Sequence, residues 1–330
     1  MNRSNVHLLD LPDEILLMIL KRLNNIDVLY SLLDINNGRL NILAQENTFT
    51  NILKLVGIYD FSLIDRFCNY ILPRIHHNAK CFIFDSFCIK RFLLATDYPN
   101  LTELKILHFQ QDFALDYLTS RNTVIDGTYV QHDILYYTPQ LHSFTFYICT
   151  YVKTVDLSYK LSTEDIQQTL TNIGQQHVTS IVNYIQGGIA ACSIFSLPFE
   201  FDYVKHLGNE FPNIVFSYVT FLLVEDTNPF KHEFFIRISR SFPLLKYLRI
   251  FNIESQVLDG LMTFSSHNCL LHSIIEYLHL TRLDVRYAHR DYVEQFLNET
   301  KAFIPCLTEF EVSVDDLKAV TKNFTRKETR

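Results

Sequence analysis

A chain of 330 residues, 48% of them apolar, is too hydrophobic to be disordered and too long for one small core. A net charge of −7 argues against the broad basic face of a dedicated nucleic-acid binder, and eight glycines leave little room for a phosphate-cradling loop. The first predicted element is a helix over "LPDEILLMILKRL", from Leu11 to Leu23. Pro12 suits its first position, and Asp13 and Glu14 meet the positive end of the helix dipole. Ile15, Leu16, Ile19, Leu20 and Leu23 form one apolar stripe, with Leu17 and Met18 outside it. Two short helices come next, carrying Val28, Leu29, Leu32 and Leu33, then Leu40, Leu43 and Ala44. Three helices in about fifty residues bury too little surface to stand alone, so the surplus apolar face of the first is expected to be an interface.

The stretch "LPDEILLMILKRLNNIDVLYSLLDIN" resembles an F-box. Leu11, Pro12, Glu14, Ile15, Ile19, Leu20, Leu23, Asp27, Leu29 and Leu32 match the family pattern: Leu-Pro-x-Glu-Ile, spaced apolar positions, then an Asp-Leu-type start to the second helix. Arg39-Leu40 stands where the family often has a basic residue followed by Trp. The resemblance covers residues 8–50. It implies docking onto the Skp-type adaptor of a cullin–RING ubiquitin ligase, and through it onto a cullin. Leu11, Pro12, Ile15, Leu16 and Ile19 are then the adaptor-binding residues. The alternative is a plain helical cap on the next domain.

Beyond residue 50, five segments share a Pro followed by spaced apolar residues: "YPNLTELKI", "TPQLHSFTF", "FPNIVFSYV", "FPLLKYLRI" and "IPCLTEFEV". A further copy is expected near residue 274, in "SIIEYLHL", with Ile275, Leu278 and Leu280 at the matching offsets, and an earlier one in "AKCFIF". Segments before the Pro read as helices, with Phe235, Ile238 and Phe242 on one face and Val293, Phe296, Leu297 and Phe303 on another. Proline disfavours helix at the residue before it, so each unit reads as helix, turn, short strand. Helices returning between strands require the strands to be parallel.

The Leu-x-x-Leu-x-Ile spacing resembles a leucine-rich repeat. The usual Asn or Cys three residues beyond is present as Cys149 alone, with Phe109, Ile253 and Asp315 at the other sites. The expected fold is therefore α/β: an N-terminal three-helix F-box over 1–50, then a curved solenoid of irregular leucine-rich-repeat-like helix–strand units with parallel strands over 51–320. The stretch 151–190 reads as an inserted helical excursion, stopped at Gly187-Gly188 and broken near Gly174, with Ile166, Leu170, Ile173, Ile181 and Ile185 on its apolar side. Residues 321–330 read as a frayed basic tail. Leu104, Phe144, Leu248 and Phe310 are expected to point inward. Their neighbours Lys105, Thr145, Arg249 and Glu311 are expected to face out and to be the target-binding candidates.

No catalytic or metal constellation is expected. His76, His77 and Cys81 lack a second ligand pair at zinc spacing, and Asp315-Asp316 reads as a solvated face. The pattern thus implies a non-catalytic substrate receptor, with no cofactor, no nucleic acid and no membrane among its partners. An interaction scaffold without a ligase role is the alternative. Seven cysteines, an odd number with no Cys-x-x-Cys, suit free thiols in a reducing compartment, cytoplasmic or nuclear. No secretory h-region is read near the start. The longest apolar run, Ile214 to Val224, is too short to span a bilayer.

Overall fold

The first helix spans Asp13–Leu20, the second Asn25–Leu32 and the third Gly38–Ala44. The side chain of Asn24 accepts the Ile26 N–H, and that of Asn37 accepts the N–H groups of Arg39 and Leu40, so two of the three helices are capped by asparagine. The computed structural model describes residues 7–33, 35, 37–58, 60–107, 124–171, 173, 177–256 and 274–325. Phe109, Gly174, Cys269 and the tail residues 326–330 lie outside these. The fold is mixed α/β with parallel sheets, and the chain divides into two compact units. The first comprises residues 1–113, 125–149 and 169–175, the second 114–124, 150–168 and 176–330.

In the first unit the three helices enclose Leu16, Leu40 and Leu43, with Leu11, Leu17 and Leu32 packed around them. The second helix is tied to the segments just beyond the helical trio: Asn25 donates to the Ile52 carbonyl at 3.3 Å, and Tyr30 donates to the Leu63 carbonyl at 2.6 Å. Four strands run parallel in the order β1 (Ile52–Leu55), β2 (Cys81–Asp85), β3 (Glu103–Leu107) and β4 (Ser143–Lys153). Leu53, Phe82, Leu104 and Phe144 stand in register and are buried. Strand period two sends Lys54, Ile83, Lys105 and Thr145 to the opposite face.

Asp85 closes β2. Its carboxylate is buried and accepts the Gly57 N–H at 2.8 Å. Burial pushes its pKa up to about 6, against the smaller lowering by that hydrogen bond. The ordinary value is about 3.9, so as pH rises from about 4 to 6 the unfolded chain ionises first and native stability falls. Asp85→Asn keeps the acceptor and removes the charge. It is expected to raise stability by about 3 kcal/mol at pH 7 and to gain nothing below about pH 4. Denaturant melts at the two pH values check this, and equal gains at both would place the cost elsewhere.

In the second unit, β5 (Val178–Ile185) and β6 (Ile189–Ser196) form an antiparallel hairpin. Five parallel strands come after it: β7 (Tyr203–Leu207), β8 (Phe221–Glu225), β9 (Tyr247–Asn252), β11 (Arg282–Ala288) and β13 (Glu309–Glu311), in the order β13-β11-β9-β8-β7. The short strands β10 (Ile275–Glu276) and β12 (Ala302–Phe303) pair with each other. Helices His232–Ser241 and Arg290–Leu297 lie between strands in sequence and bury Phe235, Ile238, Val293 and Phe296. Leu222, Leu248, Leu283 and Phe310 share one register across four strands.

Four expectations need correction. Among the described residues the 151–190 excursion carries a 3-10 turn at Thr154–Asp156 and one α-helix, Thr163–Leu170; β5 then runs to Ile185, and Gly187 and Gly188, with φ of 80° and 68°, turn a hairpin rather than stop a helix. The β-branched run Val178, Thr179, Ile181 and Val182 favours the pleat. In the third segment the strand starts at Phe221, beyond "FPNIVFSYV", because Val219, Leu222 and Val224 carry the buried spacing. The copy expected near 274 lies at Arg282–Ala288 instead, on Leu280, Leu283 and Val285. Stacking also has an asparagine rung: Asn252, fully buried, donates to the Asn228 carbonyl at 2.7 Å, one residue before the position expected.

Candidate functional site

The expected adaptor-binding residues divide in two. Leu16 faces the three-helix core and Leu11 packs against it, whereas Pro12, Ile15 and Ile19 are exposed. Ile15, Met18 and Ile19 share one side of the helix, and Met18 is 65% exposed. Leu8, Leu9 and Leu23 extend the exposed apolar surface at the two ends. The stripe read from the sequence is thus split: Leu16 and Leu20 go inward, and Ile15 and Ile19 outward with Met18.

Arg39 holds this segment in place. Its Nε donates to Asp13 Oδ1 at 2.6 Å, its Nη1 to the Leu9 carbonyl at 2.8 Å and its Nη2 to the Leu11 carbonyl at 2.5 Å. A planar guanidinium with several fixed donors suits such multiple capture, which a lysine ammonium does not reproduce. Leu40 is buried against Leu16 and Leu43.

The target-binding candidates fall into two pairs. In the first unit Lys105 and Thr145 are register neighbours. In the second, Arg249 and Glu311 flank Asp284 from the strands on either side. Sequence reasoning missed Asp284, which is wholly buried and is the centre of an ion lattice. Arg286 grips it with two bonds, Nε to Oδ1 at 3.0 Å and Nη2 to Oδ2 at 2.8 Å, and Arg249 Nε lies 3.3 Å away. Burial pushes the Asp284 carboxyl up, but the Arg286 bonds and the two positive charges outweigh it and hold the group below the usual carboxylate range. Arg282 donates from Nε to Glu311 Oε1 at 2.6 Å, and Arg286 Nη2 lies 2.6 Å from Glu311 Oε2. Rings complete the lattice: Arg282 sits over Tyr247 at 4.6 Å, Arg249 over Tyr287 at 5.4 Å, and Tyr287 stacks on Phe251 at 5.5 Å. Arg249 is therefore a brace within the sheet as well as a surface group.

A polar knot closes β7 and β8. His206, at φ 54°, pairs through Nδ1 with Glu225 Oε2 at 2.7 Å, and Asn183 donates to the carbonyls of His206 and Glu225. Asp226 accepts the N–H groups of Asn209 and Asn228, each at 2.8 Å. A cleft of about 720 Å³ opens beside the knot, lined by Lys160, Glu164, Asn183, Glu210 and Asp226 among others. Each knot carboxylate is engaged within the fold, and the Tyr151 ring packs edge-on against His206 at 5.2 Å. Burial pushes the Cys68 and Cys81 thiols up to about 12 and the Cys88 thiol higher still, so these thiols are protonated at neutral pH. Among the described residues no group of three His, Cys, Asp or Glu is placed to hold a metal ion, and no helix is long and apolar enough to cross a membrane. No protein-family model, curated protein or solved structure matches this chain.

Proposed function

We propose that this chain is a non-catalytic substrate-recognition subunit of a Skp/cullin/F-box-type ubiquitin ligase. The N-terminal helices dock on the adaptor, and the strand-bearing remainder, a curved leucine-rich-repeat-like solenoid, holds a target protein. The observation that carries the reading is the exposed apolar side of the first helix, at Pro12, Ile15, Met18 and Ile19, within an F-box-like motif whose core positions are filled. The repeated inward register, Leu53 to Phe144 in one unit and Leu222 to Phe310 in the other, supports the solenoid. The receptor contributes effective concentration: a target held beside a conjugating enzyme reacts as if tethered, with no catalytic group from this chain. Capture of purified Skp-type adaptor by the full chain tests the reading. Micromolar or tighter capture is expected, and none at tens of micromolar would leave an interaction scaffold without a ligase role.

A further inference from the structure

The open face of the second unit's sheet at β9, β11 and β13 layers its charges by depth. Asp284 is wholly buried and the Glu311 side chain is 22% exposed, while the Arg282 and Arg286 side chains above them are 41% and 45% exposed. Both arginines spend Nε and Nη2 on these carboxylates, and their Nη1 groups make no bond among the described residues. The side chains are held by ion pairs beneath and rings alongside, so a partner would order little on binding. Arginine and tyrosine are also the residue types that dominate binding hot spots. We infer that this lattice is a docking surface for an acidic, extended segment of a target protein, its carboxylates taken by the Nη1 edges of Arg282 and Arg286 and its apolar side chains laid on Tyr247, Phe251 and Tyr287.

The inference rests on the receptor reading and names the chemistry of its target. Depth selects the occupant: the three arginines balance Asp284, Glu309 and Glu311 in charge, but Asp284 and Glu311 lie beneath the more exposed Arg282 and Arg286, whose Nη1 groups hold the donors that the lattice leaves unused. Glu309, at the rim on β13, is 62% exposed and lies 3.3 Å from Arg282 Nε. It occupies part of the guanidinium an incoming carboxylate would take, so it competes with the ligand. Removing it should therefore strengthen binding, which a merely structural role for the lattice does not foresee.

The test uses the full chain and fluorescein-labelled eight-residue peptides alternating Tyr with Glu, Gln, Lys or phosphoserine, read by anisotropy. The Glu peptide is expected to bind at least tenfold more tightly than the Gln peptide and to weaken as salt rises. Arg282→Gln should cost about tenfold, and Glu309→Gln, at an exposed site where folding is not at stake, should tighten binding severalfold. Equal affinity for the Glu and Gln peptides, or no change in Glu309→Gln, would overturn the assignment. So would a phosphoserine peptide that binds tenfold or more tightly than the Glu peptide. Adaptor capture on the same preparation separates the two readings. Glu-peptide binding without capture keeps this surface and discards the ligase role. Capture with no Glu preference does the reverse.

Discussion

Leu248→Asp is expected to leave the second unit unfolded and the chain insoluble. Leu248 is fully buried in β9, with Leu222 of β8 on one side and Leu283 of β11 on the other. Truncation alone, Leu248→Ala, removes a side chain that three strands share, and should cost about 2–5 kcal/mol. An aspartate adds a carboxylate with no partner in an apolar layer, at several kcal/mol more. Domains are stable by about 5–15 kcal/mol, so the sum approaches the whole margin. Lys246→Asp, two residues earlier and exposed, is the control and should melt as the parent does. A soluble Leu248→Asp protein with unchanged melting would mean that the side chain points outward, because a slip of one residue exchanges the faces of a strand.

That register was legible because Leu-x-x-Leu-x-Ile states which side chains share a face: Leu104, Phe144 and Leu248 are all buried as the spacing requires, and Phe310 is half-buried. Proline was the misleading marker. It ends a helix sterically but is not needed to start a strand, and "VTFLLV" and "LTRLDV" carry the same spacing without it. Losing β11 also hid Asp284 and Arg286. The register shift between Asp284 and Tyr287 compounds this, since a bulge sets two neighbouring residues against the alternation. The hairpin at 178–196 is ambiguous in sequence for another reason: Ile181 and Ile185, four apart, fit a helix face and a strand face equally. At the N-terminus the three helices were legible, but the orientation of the first was not. Six apolar residues in a row, Ile15 to Leu20, give no contrast from which to choose a side.

The structure makes that choice and sharpens the docking test. Ile15→Asp with Ile19→Asp should abolish adaptor capture while the chain stays folded. Both side chains are exposed, and neither belongs to the Leu16–Leu40–Leu43 cluster. Covering the open part of each would contribute about 1–2 kcal/mol, so losing both costs a hundredfold or so in affinity before the charges count. Two carboxylates buried without partners at the interface would add a further penalty of several kcal/mol. Leu16→Asp is the contrast, because it strikes the helical core and should lower stability as well as capture. A Leu11→Ala/Pro12→Ala pair is less clean, since Leu11 packs on that core while its carbonyl is held by Arg39. The decisive comparison is thermal melting beside capture of purified adaptor. Parent-like melting with lost capture assigns the exposed side to docking. Undiminished capture by the Ile15→Asp/Ile19→Asp protein would move the adaptor contact off this face of the helix.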